Sequence, residues 1–469
     1  MKELYWRGGV PLLIALVTFL IPPPAGLTGQ NWHLFGIFFA MIVGFITRPF
    51  PMGAVCIIGL CLISITKTLT PSEILVGFSS NAIWLIVMAF FFSRAFLKTG
   101  LGKRIAYTIL AKIGNHSLTV GYAFALSDLV LCLTTPSSAA RAGGILFPII
   151  LSVSHALDSR PGPTARKIGA YLIQLVYQTE GVTCALFLTA MAANPLMAEF
   201  AQQTAGVTIT WTSWAVAAAV PGLIAFMVIP LVLYFVYPPS LKAVPYVKKE
   251  ALGKLKELGP LTKNEYILLF TFVLALLLWS TAALTGINPT TTAIIAVTIL
   301  LITQVLDWSD ILHETGAWDT LIWMSSLVGL AGLLAKKGFI PWFSENVAQA
   351  MTGLDWTIVL GILILAYMYS QYFFASLTAH AAAMYSGFLA VAVGVGAPPL
   401  LAALSLAFTA NICLGLTHYS AACGGLYFGA GYVPLKTWWS LGLLFSVIQL
   451  VVWIGIGSVW WKLRFCVFQ

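Results

Sequence analysis

Arg141 lies in a stretch that otherwise reads as membrane. Residues 134–148 run Thr-Thr-Pro-Ser-Ser-Ala-Ala-Arg-Ala-Gly-Gly-Ile-Leu-Phe-Pro between the apolar runs 121–133 and 145–153. Neither run reaches the roughly 20 apolar residues of a spanning helix. A Pro, two Ser, an Arg and a Gly pair in such a place describe a break at membrane depth, which is tolerated only where protein buries it or a wet cavity borders it. A guanidinium there costs roughly 2.5–3.5 kcal/mol on insertion scales, so the stretch is expected to hold an anion. The plainer alternative pairs Arg141 with Asp128 or Glu180.

A second break, Ser376-Leu377-Thr378-Ala379-His380, repeats the chemistry: in each, a Ser is followed four residues later by a cationic or potentially cationic side chain. Ser137, Ser138, Ser376 and Thr378 offer hydroxyl donors suited to carboxylate oxygens. The helix N-termini at the breaks add unpaired N–H groups and about half a positive charge each. Arg141 contributes a fixed charge, and His380 another if a neighbouring anion holds its proton; the plainer alternative makes His380 a satisfied core imidazole. Together they describe a site for about two negative charges. A dicarboxylate fits, and so by charge alone do phosphate and sulfate. Two further punctuated runs are candidates to complete the pocket. One has Thr189 and Asn194-Pro195; the other has Asn411, Thr417, His418 and Tyr419 before the small residues 420–425. Helix packing through small residues is the competing reading of these.

The elements that must position these groups are transmembrane helices. Of 469 residues, 60% are hydrophobic and 8% charged, too little charge to solvate the surface of a soluble domain of this size. A β-barrel would show short alternating segments instead, so the fold class is an all-α polytopic membrane protein. The net charge of +9 is concentrated: six of the 24 Lys and Arg lie between Lys242 and Lys263. By the positive-inside rule such loops face the cytoplasm, and no nucleic-acid partner is needed to explain them. The seven cysteines are scattered and read as small core residues, not as metal ligands or disulfides. No cofactor or metal motif is present. The start reads as an uncleaved first helix, since no small-residue cleavage site precedes Pro22-Pro23-Pro24.

The chain divides into a first helix (1–31), a first repeat (32–237) with a hairpin around 121–153, a basic cytoplasmic linker (238–265), and a second repeat (266–469) with a hairpin around 357–395. Ala-Phe-Leu-Lys-Thr-Gly ending at Gly100 matches Leu-Leu-Ala-Lys-Lys-Gly ending at Gly338, and nearly the same offset carries Ser137 onto Ser376. If the first half crosses an odd number of times, the copies are inverted. Inverted repeats, each with a re-entrant helical hairpin and a broken transmembrane helix, are the pattern of a secondary transporter. An intramembrane enzyme would need a nucleophile–base set or a metal motif, and none is found. An anion channel would need a continuous polar path.

At these residues the chain resembles the divalent anion/sodium symporter family, most of all its antiporter branch of citrate/succinate and tartrate/succinate antiporters and plastid 2-oxoglutarate/malate translocators. The matching pieces are Thr135-Pro136-Ser137 with Ala140-Arg141-Ala142-Gly143-Gly144, Thr189 to Pro195, Ala375 to His380, and Leu416-Thr417-His418-Tyr419 leading to Tyr432. The resemblance implies a homodimer in a lipid bilayer, a scaffold plus a mobile transport domain, elevator-type alternating access, and Ser-Asn-Thr motifs at two hairpin tips that bind substrate carboxylates. Those motifs fall on Ser137, Ser138, Ala139 and on Ser376, Leu377, Thr378. Leu377 is usual in the antiporter branch; Ser138 for Asn and Ala139 for Thr are not. The missing amide removes oxygen ligands from where the symporters hold sodium.

The expectation is therefore a multi-pass protein of the bacterial inner membrane. It exchanges dicarboxylates of the 2-oxoglutarate, malate, succinate and fumarate class without sodium, with Arg141 and His380 standing in for the cation. A carrier with fixed unneutralised charge cannot return empty, which predicts obligate exchange. The alternatives are a sodium-coupled di- or tricarboxylate symporter and a citrate/succinate antiporter.

Overall fold

Helix ends are set by local chemistry. In the computed structural model, which describes residues 2–133, 135–350 and 353–465, Thr28, Thr210 and Thr262 accept the backbone N–H of Asn31, Ser213 and Glu265, three residues on. Each cap satisfies a donor that the helix itself leaves unpaired. Gly100 (φ 78°) ends the helix Asn81–Thr99, and Gly338 (φ 89°) follows Thr315–Lys336. Both take the left-handed conformation that a side chain would strain. Thr134 of the first break and Cys466 lie outside the described residues.

Two halves of like order follow the first helix, Lys2–Leu20. The first contains Gly29–Thr47, Met52–Ile65, Asn81–Thr99 and the amphipathic Leu101–Ile113. A hairpin comes next (Ser117–Cys132 and the returning arm Ala139–Ala156), then a broken helix (Gly169–Leu186 and Ala193–Ala205), and Trp211–Val236 closes the half. The second contains Lys263–Ser280, Pro289–Ile302, Thr315–Lys336 and Phe339–Ala350. Its hairpin is Trp356–Ser370 with Leu377–Gly394, its broken helix Pro399–Ile412 with Gly424–Gly429, and its last element Leu435–Phe465. Among the described residues, 10 helices are long and apolar enough to cross a membrane.

Burial sorts these helices by depth. Every residue of Gly169–Leu186 is buried, as is 89% of the run Pro399–Leu416, against 33% of Trp356–Phe373. The two broken helices therefore form the centre, and the outgoing arm of the second hairpin presents much of its apolar surface outward, as a lipid-facing helix does.

Two expectations need correction. The basic stretch 238–265 is not an unstructured linker: Pro245–Leu258 is a helix that packs on Leu101–Ile113. Val247, Ala251 and Leu255 recur at helical spacing on one face. Arg104 braces its far end, its Nε 2.7 Å from Glu265 and its Nη1 2.8 Å from the Gly259 carbonyl. The second break lies earlier than residues 376–380. The irregular piece is Gln371–Ser376, and the helix resumes at Leu377 because Ser376 caps it. His380 is thus a helical residue.

Candidate functional site

The two hairpin tips share one capping geometry. Ser137 Oγ accepts the N–H of Ala140 (3.2 Å) and its carbonyl accepts the N–H of Arg141 (3.1 Å). Ser376 Oγ accepts the N–H of Ala379 (3.3 Å) and its carbonyl accepts that of His380 (3.0 Å). Past the first cap the chain winds as a π-helix over Ala139–Leu146, a wide turn common at functional sites. Each tip is tied to the break of the neighbouring helix: Ala192 N–H donates to the Pro136 carbonyl (3.2 Å), and Leu377 N–H to the Ser420 carbonyl (2.9 Å).

These ties bring both tips and both breaks to one cavity of about 230 Å³. Pro136, Ser137, Ser138 and Ala139 line it from the first tip, Ser376, Leu377 and Thr378 from the second. Met191, Ala192, Ala421 and Ala422 come from the breaks. The opposite wall is Met52, Phe90, Gly316, Asp319, Thr320 and Trp323. All six positions onto which the family motifs fall therefore face the same space. Its volume is well beyond the roughly 30 Å³ share of one water, so it admits a small organic anion. Two returning helices begin at its wall, each with about half a positive charge at its N-terminus. Four hydroxyls complete a donor set for oxyanions.

Arg141, His380, Thr189, Asn194, Thr417 and His418 are not among the lining residues, and their contacts show why. Arg141 is 0% exposed. Its Nε lies 3.0 Å from Asp128 Oδ1, and its Nη1 donates to the carbonyls of Thr135 (2.5 Å) and Ala190 (2.7 Å). Thr183 donates to the other Asp128 oxygen. The guanidinium is a brace between first tip and first break, and its charge is matched. His380, equally buried, is held through Nε2 to Ser370 Oγ (2.8 Å) and packed between the rings of Tyr367 and Phe374. The fixed unneutralised charge expected from the sequence is therefore absent from the cavity wall. The mistake has a physical cause: an intramembrane Arg needs a counter-charge or an anion, and Asp128, thirteen residues away, supplies the first.

Of the other expected residues, Asn194 and Thr189 satisfy the unwound backbone from behind, while Thr417 and His418 bond to side chains. Asn194 Nδ2 donates to the carbonyls of Cys184 (2.8 Å) and Phe187 (2.9 Å), and its Oδ1 accepts from Asn411 (2.8 Å), so one amide links both broken helices. Thr189 Oγ1 donates to the Leu133 carbonyl (2.6 Å). Thr417 Oγ1 pairs with Ser420 Oγ (2.7 Å), and His418 Nδ1 accepts from Trp439 (3.3 Å). Such pairing is what buried irregular backbone requires. The sequence reading missed Asp319. It lies in the second turn of the helix Thr315–Lys336. Its carboxylate sits so close over Gly53 that a Cβ there would lie 2.7 Å from Oδ1.

A helical membrane protein whose two broken segments and two capped hairpin tips enclose one central cavity has the build of a secondary carrier. The chain belongs to the family described as the sodium:sulfate symporter transmembrane region, which matches residues 2–467. It is 50% identical over 458 residues to the putative malate transporter YflS of Bacillus subtilis, covering 97% of this chain and 96% of that protein. It is 46% identical over 466 residues to the chloroplastic dicarboxylate transporter 1 of Spinacia oleracea, covering 97% and 82%. In fold it is similar to the YdaH transporter of Alcanivorax borkumensis (TM-score 0.58, 12% identity, 99% of this chain and 98% of that one). MtrF of Neisseria gonorrhoeae is similar too (TM-score 0.61, 12% identity, 97% and 94%). The chain is thus a multi-pass membrane transporter and not an enzyme.

Proposed function

We propose that this chain carries dicarboxylates of the malate, 2-oxoglutarate, succinate and fumarate class across the bacterial inner membrane, one exchanged for another. The carrying observation is the shared cavity: Ser137 and Ser138 of one tip and Ser376 and Thr378 of the other line a single space. A carboxylate at each end of a short acid is then met by two hydroxyls and one helix N-terminus. The relatives named as malate and dicarboxylate transporters support the substrate class. In this reading the hairpins and broken helices move as the transport part against a scaffold wall carrying Met52, Phe90 and Trp323, an elevator-type motion, in a homodimer as the family resemblance implies. Ser138 and Ala139 supply no amide oxygen to a cation, which favours sodium-independent exchange. With the Arg141 charge neutralised by Asp128, exchange rests on that absence and no longer on trapped charge.

One observation favours the sodium-coupled alternative: Asp319 places a carboxylate in the wall opposite the tips. Purified protein in proteoliposomes decides between them. Exchange predicts malate uptake only into vesicles preloaded with dicarboxylate, with or without sodium. Uptake into empty vesicles under a sodium gradient would establish the alternative. Absence of malate flux in both arms would overturn the substrate class.

A further inference from the structure

Behind the first tip the fold buries a third ionisable side chain that the transport reading does not use. Glu180 is fully buried in the middle of Gly169–Leu186, within electrostatic reach of both Asp128 and Arg141. Those two form the ion pair described above, so Glu180 is the odd charge of the cluster. Among the described residues, its Oε2 accepts only the thiol of Cys423, at 2.9 Å, and its Oε1 has no hydrogen-bond partner. The other titratable groups facing it are Tyr177 on its own helix, Tyr427, Cys184 and Cys423. Phenols and thiols are neutral when protonated and anionic when not, so none of them offers it a positive charge. A structural glutamate in such a place would be fully hydrogen-bonded or ion-paired, and this one is neither.

It is also connected to the cavity. Ala421 and Ala422, just before Cys423 in the chain, line the cavity, and Cys423 bonds Glu180. Cys423 thus joins the cavity wall to Glu180.

We propose that Glu180 is a proton site coupled to substrate binding. The proton is held while a dianion occupies the cavity, and its release helps expel the dianion. This rests on the dicarboxylate reading above. With the proton on Glu180, the cluster behind the first tip is neutral and the two helix N-termini attract the dianion unopposed. Without it, a full negative charge lies behind the first tip and repels the substrate. Thermodynamic linkage makes the effect reciprocal: whatever factor protonation adds to anion affinity, the anion adds to proton affinity. The transfer balances. A proton from cavity water reaches Cys423 Sγ as the Cys423 S–H proton passes to the Glu180 carboxylate. One proton leaves solution, one carboxyl O–H forms, and no electrons move.

Malate counterflow in proteoliposomes, with equal pH on both sides and stepped from pH 5.5 to 8.5, tests this in the wild type and in Glu180→Gln, whose amide mimics the protonated acid. The wild-type KM is expected to rise at alkaline pH, towards about tenfold per unit for one linked proton, while Glu180→Gln keeps only the slope that malate's own ionisation sets. The ionisation of malate itself enters both proteins alike. An identical slope in the two overturns the proton site and leaves the substrate class standing. Absence of wild-type counterflow at every pH overturns the substrate class and the proton site with it. If Glu180→Gln does not fold, proton uptake by the wild type in weakly buffered solution at pH 8 on adding malate replaces it: about one proton per bound malate is expected, and none overturns the proposal.

Discussion

The two hairpins present the same face to the cavity and are secured in opposite ways. At the first tip a guanidinium fixes the turn, paired with Asp128 and bonded to the carbonyls of Thr135 and Ala190. At the second the corresponding position is a histidine, uncharged in its contacts, held by one hydroxyl and two aromatic rings. The serine that caps each returning helix is the same. What recurs at the cavity wall is therefore the capping serine, and what differs behind it is the means of holding two helix N-termini in place. A site can repeat its chemistry while its supports diverge, because a support needs only to be satisfied and packed.

The difference is sharpest under mutation. Arg141→Met leaves the Asp128 carboxylate buried without a counter-charge, and breaking such a pair costs roughly 3–5 kcal/mol. A large fall in the thermal midpoint of the detergent-purified protein is expected, and Arg141→Met with Asp128→Leu is expected to recover most of it. Asn411→Leu, which strands the Oδ1 of Asn194, is expected to cost about 1–3 kcal/mol by the same measurement. Ser137→Ala and Ser376→Ala each remove a cap worth about 1 kcal/mol. Each also removes a hydroxyl that meets a carboxylate, a charged-group bond of about 1.5–3 kcal/mol, so counterflow should show the malate KM raised tenfold or more in both. His380→Leu is expected to be mildest, near 1 kcal/mol, because Ser370 keeps its bond to the Tyr367 carbonyl. An effect of His380→Leu equal to that of Arg141→Met would erase the distinction between the tips.

Much of this was legible in the residues. Spacing marked interruptions at Pro-Ser-Ser and Phe-Ala-Ser, and the structure breaks the helices at both places. The type of residue also pointed at Ser137, Ser138, Ser376 and Thr378, which line one cavity. Direction was not legible. Arg141 and His380 sit one helical turn past their caps, and on a helix that rotation decides whether a side chain faces a cavity or the packed interior. The pairing of Arg141 with Asp128 needed the hairpin to close, and sequence alone left Asp128 and Glu180 equivalent. The helix Pro245–Leu258 went unread because a dense run of lysines masked the apolar spacing of Val247, Ala251 and Leu255.

The central claim is that hydroxyls and helix ends bind the substrate while Arg141 only braces the tip. Malate KM in the Arg141→Met, Asp128→Leu double variant tests it most directly, with Ser376→Ala beside it. The account predicts a double variant within about threefold of wild type, as a neutral swap of a buried pair allows, and a Ser376→Ala protein weakened tenfold or more. A double variant that folds and no longer binds malate, beside an unaffected Ser376→Ala, would contradict it.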